Sequence, residues 1–253
     1  MTKNQFQAFK ELHYQEDELY LFNCWDVMSA KIIEGKGVKA LATSSYAIAD
    51  AWGCADGEKL PFENLVWFSQ QLVHNSNVPV SIDVEGLYAD SLETLYYNAQ
   101  SLFTTGISGI NFEDKKNRSH TYELWNVNEQ ADRIQTLKHV ATSLNTNIFV
   151  NARTDVFLKE EKHSIDLVKE ALNRAEVYAD AGADGIFIPG LNNIELIEEF
   201  SKNSPLPVNI MLNSSTNIES INWKNVGVSR VSYGPHSYFN AQNILAKHLT
   251  FSV

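Results

Sequence analysis

"AGADGIFIPG", residues 181–190, closes one kind of segment and opens another. Before it runs "SIDLVKEALNRAEVYADA" (164–181), which sets Leu167, Ala171, Ala175 and Tyr178 on one side at helical spacing. After Gly185 comes a short apolar run. Gly182 supplies the left-handed residue that ends a helix, and the chain then turns into a strand. The same pattern recurs as "GVKAL" from Gly37, "GISGI" from Gly106 and "GVSRV" from Gly227. Alternating with it, "SNVPVSI", "NTNIFV" and "SPLPVNI" lead from polar or proline residues straight into β-branched runs.

With "LYLF" near the start, eight strands are predicted, at 19–23, 40–44, 79–83, 109–113, 147–151, 185–188, 207–211 and 230–233. Their runs are apolar on both sides, as suits parallel strands covered on two faces. Helix-length segments separate them. "NVNEQADRIQTLKHVATSL" (126–144), for example, lines up Ala131, Ile134, Leu137 and Val140. Eight strand–helix units in 253 residues give a TIM (β/α)8 barrel as the α/β fold class. A doubly wound open sheet is the alternative, but no G-x-G-x-x-G follows the first strand. Nothing linker-like divides the chain, so residues 1–253 form one domain.

Composition narrows the partners. A formal net charge of −11 argues against nucleic acid and anionic membrane. The only cysteines are Cys24 and Cys54, with no C-x-x-C pair, so neither a disulfide framework nor a cysteine-rich zinc site is expected. The first residues read as an amphipathic helix without an apolar leader core. No stretch approaches the roughly 18 apolar residues of a membrane span. A cytoplasmic location is expected.

In barrels of this kind chemistry gathers at the C-terminal strand ends. Those ends carry Trp25 and Asp26, then Thr43, Ser44, Ser45 and Tyr46, then Asp83 and Glu85. Glu113 and Asp114 follow strand four, Arg153 and Asp155 strand five, and Asn213 strand seven. Asp83 and Glu85 read as lying on one side of the pleat, where two unpaired carboxylates are costly and call for a cation between them. Asp83, Glu85 and Glu113, with Asp56 close by, make a set of hard oxygen ligands suited to Mg²⁺ or Mn²⁺. Without histidine or cysteine at these ends zinc is disfavoured. Arg153 offers a planar fork for a carboxylate or phosphonate, and Ser44 and Ser45 offer hydroxyl and backbone donors. Trp25 can wall a pocket. Each residue also has a plain structural reading: Asp26 and Asp155 can cap the helices that follow them, Asp114 can be a loop residue, and Arg153 can pair with Glu113. His74 and His139 read as helix-surface residues, while His120 and His236 follow strands four and eight.

"TSS" (43–45), "DVEG" (83–86), "GINFED" (109–114), "NARTD" (151–155), "AGADGIFIPG" (181–190), "LPVNIM" (206–211) and "GVSRVSYGP" (227–235) resemble the isocitrate lyase/phosphoenolpyruvate mutase superfamily. The likeness runs from about residue 19 to 240. It implies an α/β barrel acting with Mg²⁺ on 2-oxo acids or their enol relatives. By motif it implies metal-site acids at Asp83, Glu85 and Glu113, held largely through water, and a further acid at Asp56. It implies a carboxylate site at Ser44 and Ser45 and a substrate-facing guanidinium at Arg153. Three departures are visible. Glu85 stands where the family pattern D-x-D-x-G has its second Asp. The segment "EDKKNRSHTYELWNV" lacks the K-[KR]-C-G-H loop of isocitrate and methylisocitrate lyases. Lys115 and Asn117 only echo the D-K-x-x-P-K-x-N-S loop of the mutases.

The expectation is a Mg²⁺-dependent lyase or mutase that cleaves a C–C bond of a small 2-oxo acid or 2-hydroxy dicarboxylate. Lys115, His120 and Tyr46 are the candidate acids or bases. The alternatives are P–C chemistry on phosphonopyruvate, and a regulatory barrel that lost turnover. The resemblance also implies a homo-oligomer, dimer or tetramer. The sequence leaves open whether the last helix, 237–251, packs on its own barrel.

Overall fold

The computed structural model describes residues 4–117, 121–212 and 221–249. Helix α1 (Asn4–Leu12) precedes β1 (Leu19–Leu21), β2 (Asn23–Cys24), α2 (Val27–Glu34), β3 (Leu41–Thr43), α3 (Ser45–Ala51) and α4 (Phe62–His74). Strand–helix alternation continues through β4 (Val80–Asp83), α5 (Leu92–Phe103), β5 (Gly109–Glu113), α6 (Val127–Ser143), β6 (Phe149–Arg153) and α7 (Val156–Lys159). The last elements are α8 (Ile165–Asp180), β7 (Gly185–Phe187), α9 (Ile194–Asn203), β8 (Val208–Met211), β9 (Val228–Ser232) and α10 (His236–His248).

All pairings within the sheet are parallel, in the order β1-β9-β8-β7-β6-β5-β4-β3-β2. The expected first strand, 19–23, is divided at Phe22. Its first half pairs with β9 and its second with β3. The two halves are one stave of a nearly closed eight-stave barrel. Closing a ring requires a stagger between staves, so one short strand serves its two neighbours at different heights. The Phe22 ring stacks on Tyr233, with centroids 4.0 Å apart.

Strand β6 ends two residues later than predicted, because the ladder continues until Glu113 faces Arg153. The predicted apolar faces of α6 and α8 are inward: Ala131, Ile134, Leu137, Val140, Ala171, Ala175 and Tyr178 are buried, and Leu167 is partly buried against the same core. Asp26 caps α2 in a capping box with Ser29.

The N-terminal end of the barrel is stoppered by α1. Phe9 meets Phe149 edge-on, and the neighbouring His13 stacks on the Phe149 ring at 4.1 Å. At Gly109 an added Cβ would lie 2.8 Å from Phe9 Cε1 and 3.1 Å from the Phe149 carbonyl, so this close approach needs glycine. Burial, and then the nearby Arg230, lower the His13 pKa to about 3, which keeps the stopper uncharged.

At the other terminus, α10 begins on its own barrel. Tyr238 packs edge-on to Trp25 and donates to Asp50 Oδ2 at 2.7 Å, and Phe239 meets Tyr46. Its later residues Ile244, Leu245 and Leu249 are exposed. Among the described residues no helix is long and apolar enough to cross a membrane.

Candidate active site

A cavity of about 140 Å³ opens at the C-terminal strand ends. Ser44, Ser45, Tyr46, Asp56, Asp83 and Arg153 line it, together with Asn23, Asn111, Phe187, Met211 and Ser232. Six of the residues singled out in the sequence therefore meet around one space.

The anion donors of the "TSS" segment are already in use. Asp83 Oδ2 accepts from the Ser45 amide at 3.2 Å and from Ser45 Oγ at 2.9 Å. Thr43 Oγ1 accepts from the Asp83 amide at 2.9 Å, and Ser44 Oγ caps α3. The other Asp83 oxygen, Oδ1, is buried without a hydrogen-bond partner.

Arg153 is gripped from two sides. Its Nε and Nη2 donate to Asp155 at 2.6 and 3.0 Å, and Nη1 lies 3.0 Å from Glu113 Oε2. The fork geometry gives a bidentate, charge-assisted pair. Asp155 occupies the N-cap position of α7 but makes no side-chain capping bond. It also accepts from Tyr122 Oη at 2.8 Å. Behind it Asp114 is fully buried. Asp114 accepts from the Asp155 amide at 3.0 Å, from Arg174 Nη1 at 3.1 Å and from Tyr178 Oη at 2.9 Å. One wall of the site is thus a chain from Arg174 through Asp114 and Asp155 to Arg153.

Glu85 departs from the pleat expected for it. Strand β4 ends at Asp83, and Glu85, Leu87 and Tyr88 take left-handed φ values of 52°, 58° and 56°. Each such non-glycine residue costs on the order of 1–2 kcal/mol. Polar anchors over-determine the turn. Arg133 donates to the Gly86 and Ala89 carbonyls at 2.8 and 2.9 Å, and the Tyr88 amide to Glu58 Oε1 at 2.7 Å. The Glu58 amide in turn donates to both Glu85 oxygens at 3.0 Å.

The remaining expected residues lie elsewhere. Lys115 forms an antiparallel bridge with Leu124, its ammonium 5.1 Å from the Tyr122 ring centroid, and it does not line the cavity. Trp25 packs on Tyr238 rather than on the cavity. His120 and Asn213 lie outside the described residues. A larger depression of about 580 Å³ lies between α5 and α6, away from the strand ends, and includes Tyr97 and His139.

Burial dominates the electrostatics. It raises the Asp83 carboxyl, and it raises Glu85 further, with Glu113 and Asp56 adding like-charge repulsion. Glu113 moves from its ordinary 4.5 to about 8: burial outweighs Arg153, whose charge also serves Asp155. Burial opposes the Arg153 cation, yet Asp155, Glu113 and Asp83 hold its pKa well above the usual range.

These carboxyls are short of positive charge. Among the described residues no three His, Cys, Asp or Glu side chains form a direct metal cage. The donor set instead fits a hydrated divalent ion. Asp83 Oδ1 is open, while Glu85 and Glu113 already accept hydrogen bonds and face an ion best through water. A pH dependence follows. A carboxyl raised in the folded state stabilises the fold below its unfolded pKa, and that stability is lost as pH rises through the folded value. For Glu113 the window runs from about 4.5 to about 8. The metal-free melting temperature should therefore fall across it. Millimolar Mg²⁺ should raise the melting temperature more at pH 8 than at pH 6, since ligands bind deprotonated. A Mg²⁺ effect independent of pH would contradict the assignment.

Sequence reading placed Asn151 at the end of strand five but missed its inward bond to Asn111, and it missed Tyr122, Arg133, Asn111 and Arg230 altogether. The signal for Asn111, Asn151 and Arg230 is a polar residue at the inward position of an otherwise apolar strand, as in "GINFE", "FVNAR" and "VSRVS".

Fold and site define a (β/α)8 barrel with acids and, among the described residues, the Arg153 guanidinium gathered at its mouth. The family model for phosphoenolpyruvate phosphomutase matches residues 9–251, and the chain belongs to that family, within the isocitrate lyase/phosphoenolpyruvate mutase superfamily. It is 31% identical over 232 residues, 91% of this chain and 83% of the other, to an uncharacterised protein of Mycobacterium tuberculosis. It is 27% identical to a 2-methylisocitrate lyase of Halalkalibacterium halodurans, over 81% of this chain and 67% of the lyase. A crystal structure from Burkholderia cenocepacia J2315, provisionally assigned as a phosphonomutase, superposes with a TM-score of 0.91 at 37% identity, covering 97% and 98% of the two chains. The fold is shared with phosphonopyruvate hydrolase solved with oxalate and Mg²⁺, at a TM-score of 0.85 and 20% identity over 98% and 85%. Superfamily members are lyases and mutases, which supports an enzyme.

Proposed function

We propose that the protein is a Mg²⁺-dependent carbon–carbon lyase for a small 2-oxo acid or 2-hydroxy dicarboxylate, acting through an enolpyruvate-like anion. The observation that carries the reading is the shared cavity of Asp83, with its open buried oxygen, and the Arg153 guanidinium. At about 140 Å³ the cavity is smaller than typical drug-sized sites of about 300–1,000 Å³, which favours an acid of a few carbons.

Asp83, Glu85 and Glu113, with Asp56, would hold Mg²⁺, which when bound supplies charge neutralisation and polarises the substrate oxygen. Arg153 faces the cavity already fixed by Asp155, so it stabilises a developing oxyanion without reorganising. Ser44 and Ser45 form the wall where the substrate carboxylate would seat. Of the two candidate acids and bases among the described residues, Tyr46 lines the cavity and Lys115 does not.

C–C cleavage is preferred over P–C chemistry because Arg153 is the sole cation lining the cavity among the described residues, and Lys115 is held on Tyr122. A phosphonate would call for more positive charge. The test is to incubate purified protein and Mg²⁺ with oxaloacetate, alkylmalates, methylisocitrate and phosphonopyruvate while following pyruvate or oxalate release. Release from a carboxylic acid of the panel is the expected result. Release from phosphonopyruvate alone would establish the P–C reading. Binding without turnover across the panel would establish the regulatory one.

A further inference from the structure

Arg230 is fully buried on β9 and reaches across the lumen. In ring order β9 and β5 stand opposite each other, yet Arg230 Nη2 donates to Asn111 Oδ1 at 3.1 Å. The same oxygen accepts from Asn151 Nδ2 at 2.9 Å. A guanidinium has only donors, so the oxygen and nitrogen of the Asn111 carboxamide cannot trade places. With Oδ1 taken twice, the two Nδ2 hydrogens are left for the cavity that Asn111 lines.

The arrangement is expensive. Arg230 Nε and Nη1 have no hydrogen-bond partner, nor does Asn209 Nδ2 on the neighbouring strand. Among the described residues no carboxylate forms an ion pair with Arg230, and Asp83 is the acid whose charge it feels. Apolar residues of similar volume usually replace such a buried charge without loss of stability. What the cation does here is polarise the Asn111 amide along the axis that points into the cavity. A polarised, pre-aimed N–H in a low-dielectric site is a strong donor to an anion.

We propose that Asn111 is a ligand-binding residue whose Nδ2 hydrogens meet an oxygen of the bound anion, and that Arg230 and Asn151 are the positioning residues that fix its orientation. The class of ligand, a small carboxylate, rests on the functional reading above; the orientation of the amide does not.

Oxalate is the probe, titrated calorimetrically into the Mg²⁺-loaded full-length protein. Asn111→Ala should weaken oxalate by about 10-fold or more, the loss of one hydrogen bond to a charged group. Asn111→Asp keeps the shape but presents an acceptor, and should weaken it by about 100-fold or more. Arg230→Met should weaken it several-fold at saturating Mg²⁺. Arg230→Lys, which keeps the charge, should fall between wild type and Arg230→Met, and it serves if the methionine variant does not fold. A purely structural role would lower melting temperatures and leave the oxalate Kd unchanged, and that result would overturn the proposal. If wild type itself binds no oxalate, the functional reading falls, and neutron diffraction from ligand-free crystals decides this one separately. Asn111 deuterons facing the cavity support it; deuterons turned into the barrel wall overturn it.

Discussion

Replacing Arg153 by methionine should lower turnover by about 10²–10³-fold, the scale of losing a pre-aimed donor to an oxyanion. The loss has two sources. The cavity loses its cation, and Asp155 and Glu113 lose the partner that now lies 2.6–3.0 Å from them. Glu113 and Asp83, whose raised carboxyls Arg153 pulls down, then hold protons to still higher pH, which weakens the site as a cation binder. Arg153→Lys should recover little, because an ammonium cannot grip Asp155 with two parallel bonds and reach Glu113 as well. Single-turnover kinetics under saturating Mg²⁺, with circular dichroism to confirm folding, would check this. A methionine variant within tenfold of wild type would remove Arg153 from the chemistry.

The second large effect is on stability. Asp114→Ala should cost about 3–5 kcal/mol, the usual penalty for stripping one partner from a buried ion pair. For a chain of this length that is a melting-temperature drop of roughly 10 °C or more. The change strands the partly buried Arg174, leaves the Asp155 amide without its acceptor, and loosens the residue that holds Arg153. Asp26→Ala is the control. Asp26 also follows a strand and precedes a helix, but it only caps α2, so about 1 kcal/mol is expected. Equal losses at the two sites, by calorimetry or denaturant titration, would contradict the distinction.

That contrast marks what the sequence could convey. Asp26 and Asp155 carry the same local signature, an acid before a helix, and local propensity assigns both to capping. What separates them is Tyr122 and Arg153, which only the folded barrel brings to Asp155. The strands were legible because helix-ending glycines and β-branched runs act locally. The break at Phe22 was not, since stagger belongs to the closed ring. Ser44, Ser45, Tyr46, Asp56, Asp83 and Arg153 could be gathered because the barrel collects its strand ends at one face. The left-handed turn at Glu85 was hidden, as nothing in "DVEG" before its glycine demands a positive φ. Arg230 and Asn111 are 119 positions apart, and no spacing rule connects them.

The α1 stopper has a kinetic consequence. With Phe9, His13 and Phe149 closing the far end, the substrate of the proposed reaction would arrive, and its products depart, through the same mouth. A cleavage reaction would then discharge its two fragments in sequence, the outer one first and the one resting on Asn111 last. Product-inhibition patterns should carry that order: the last fragment to leave competes directly with substrate, and the first does not.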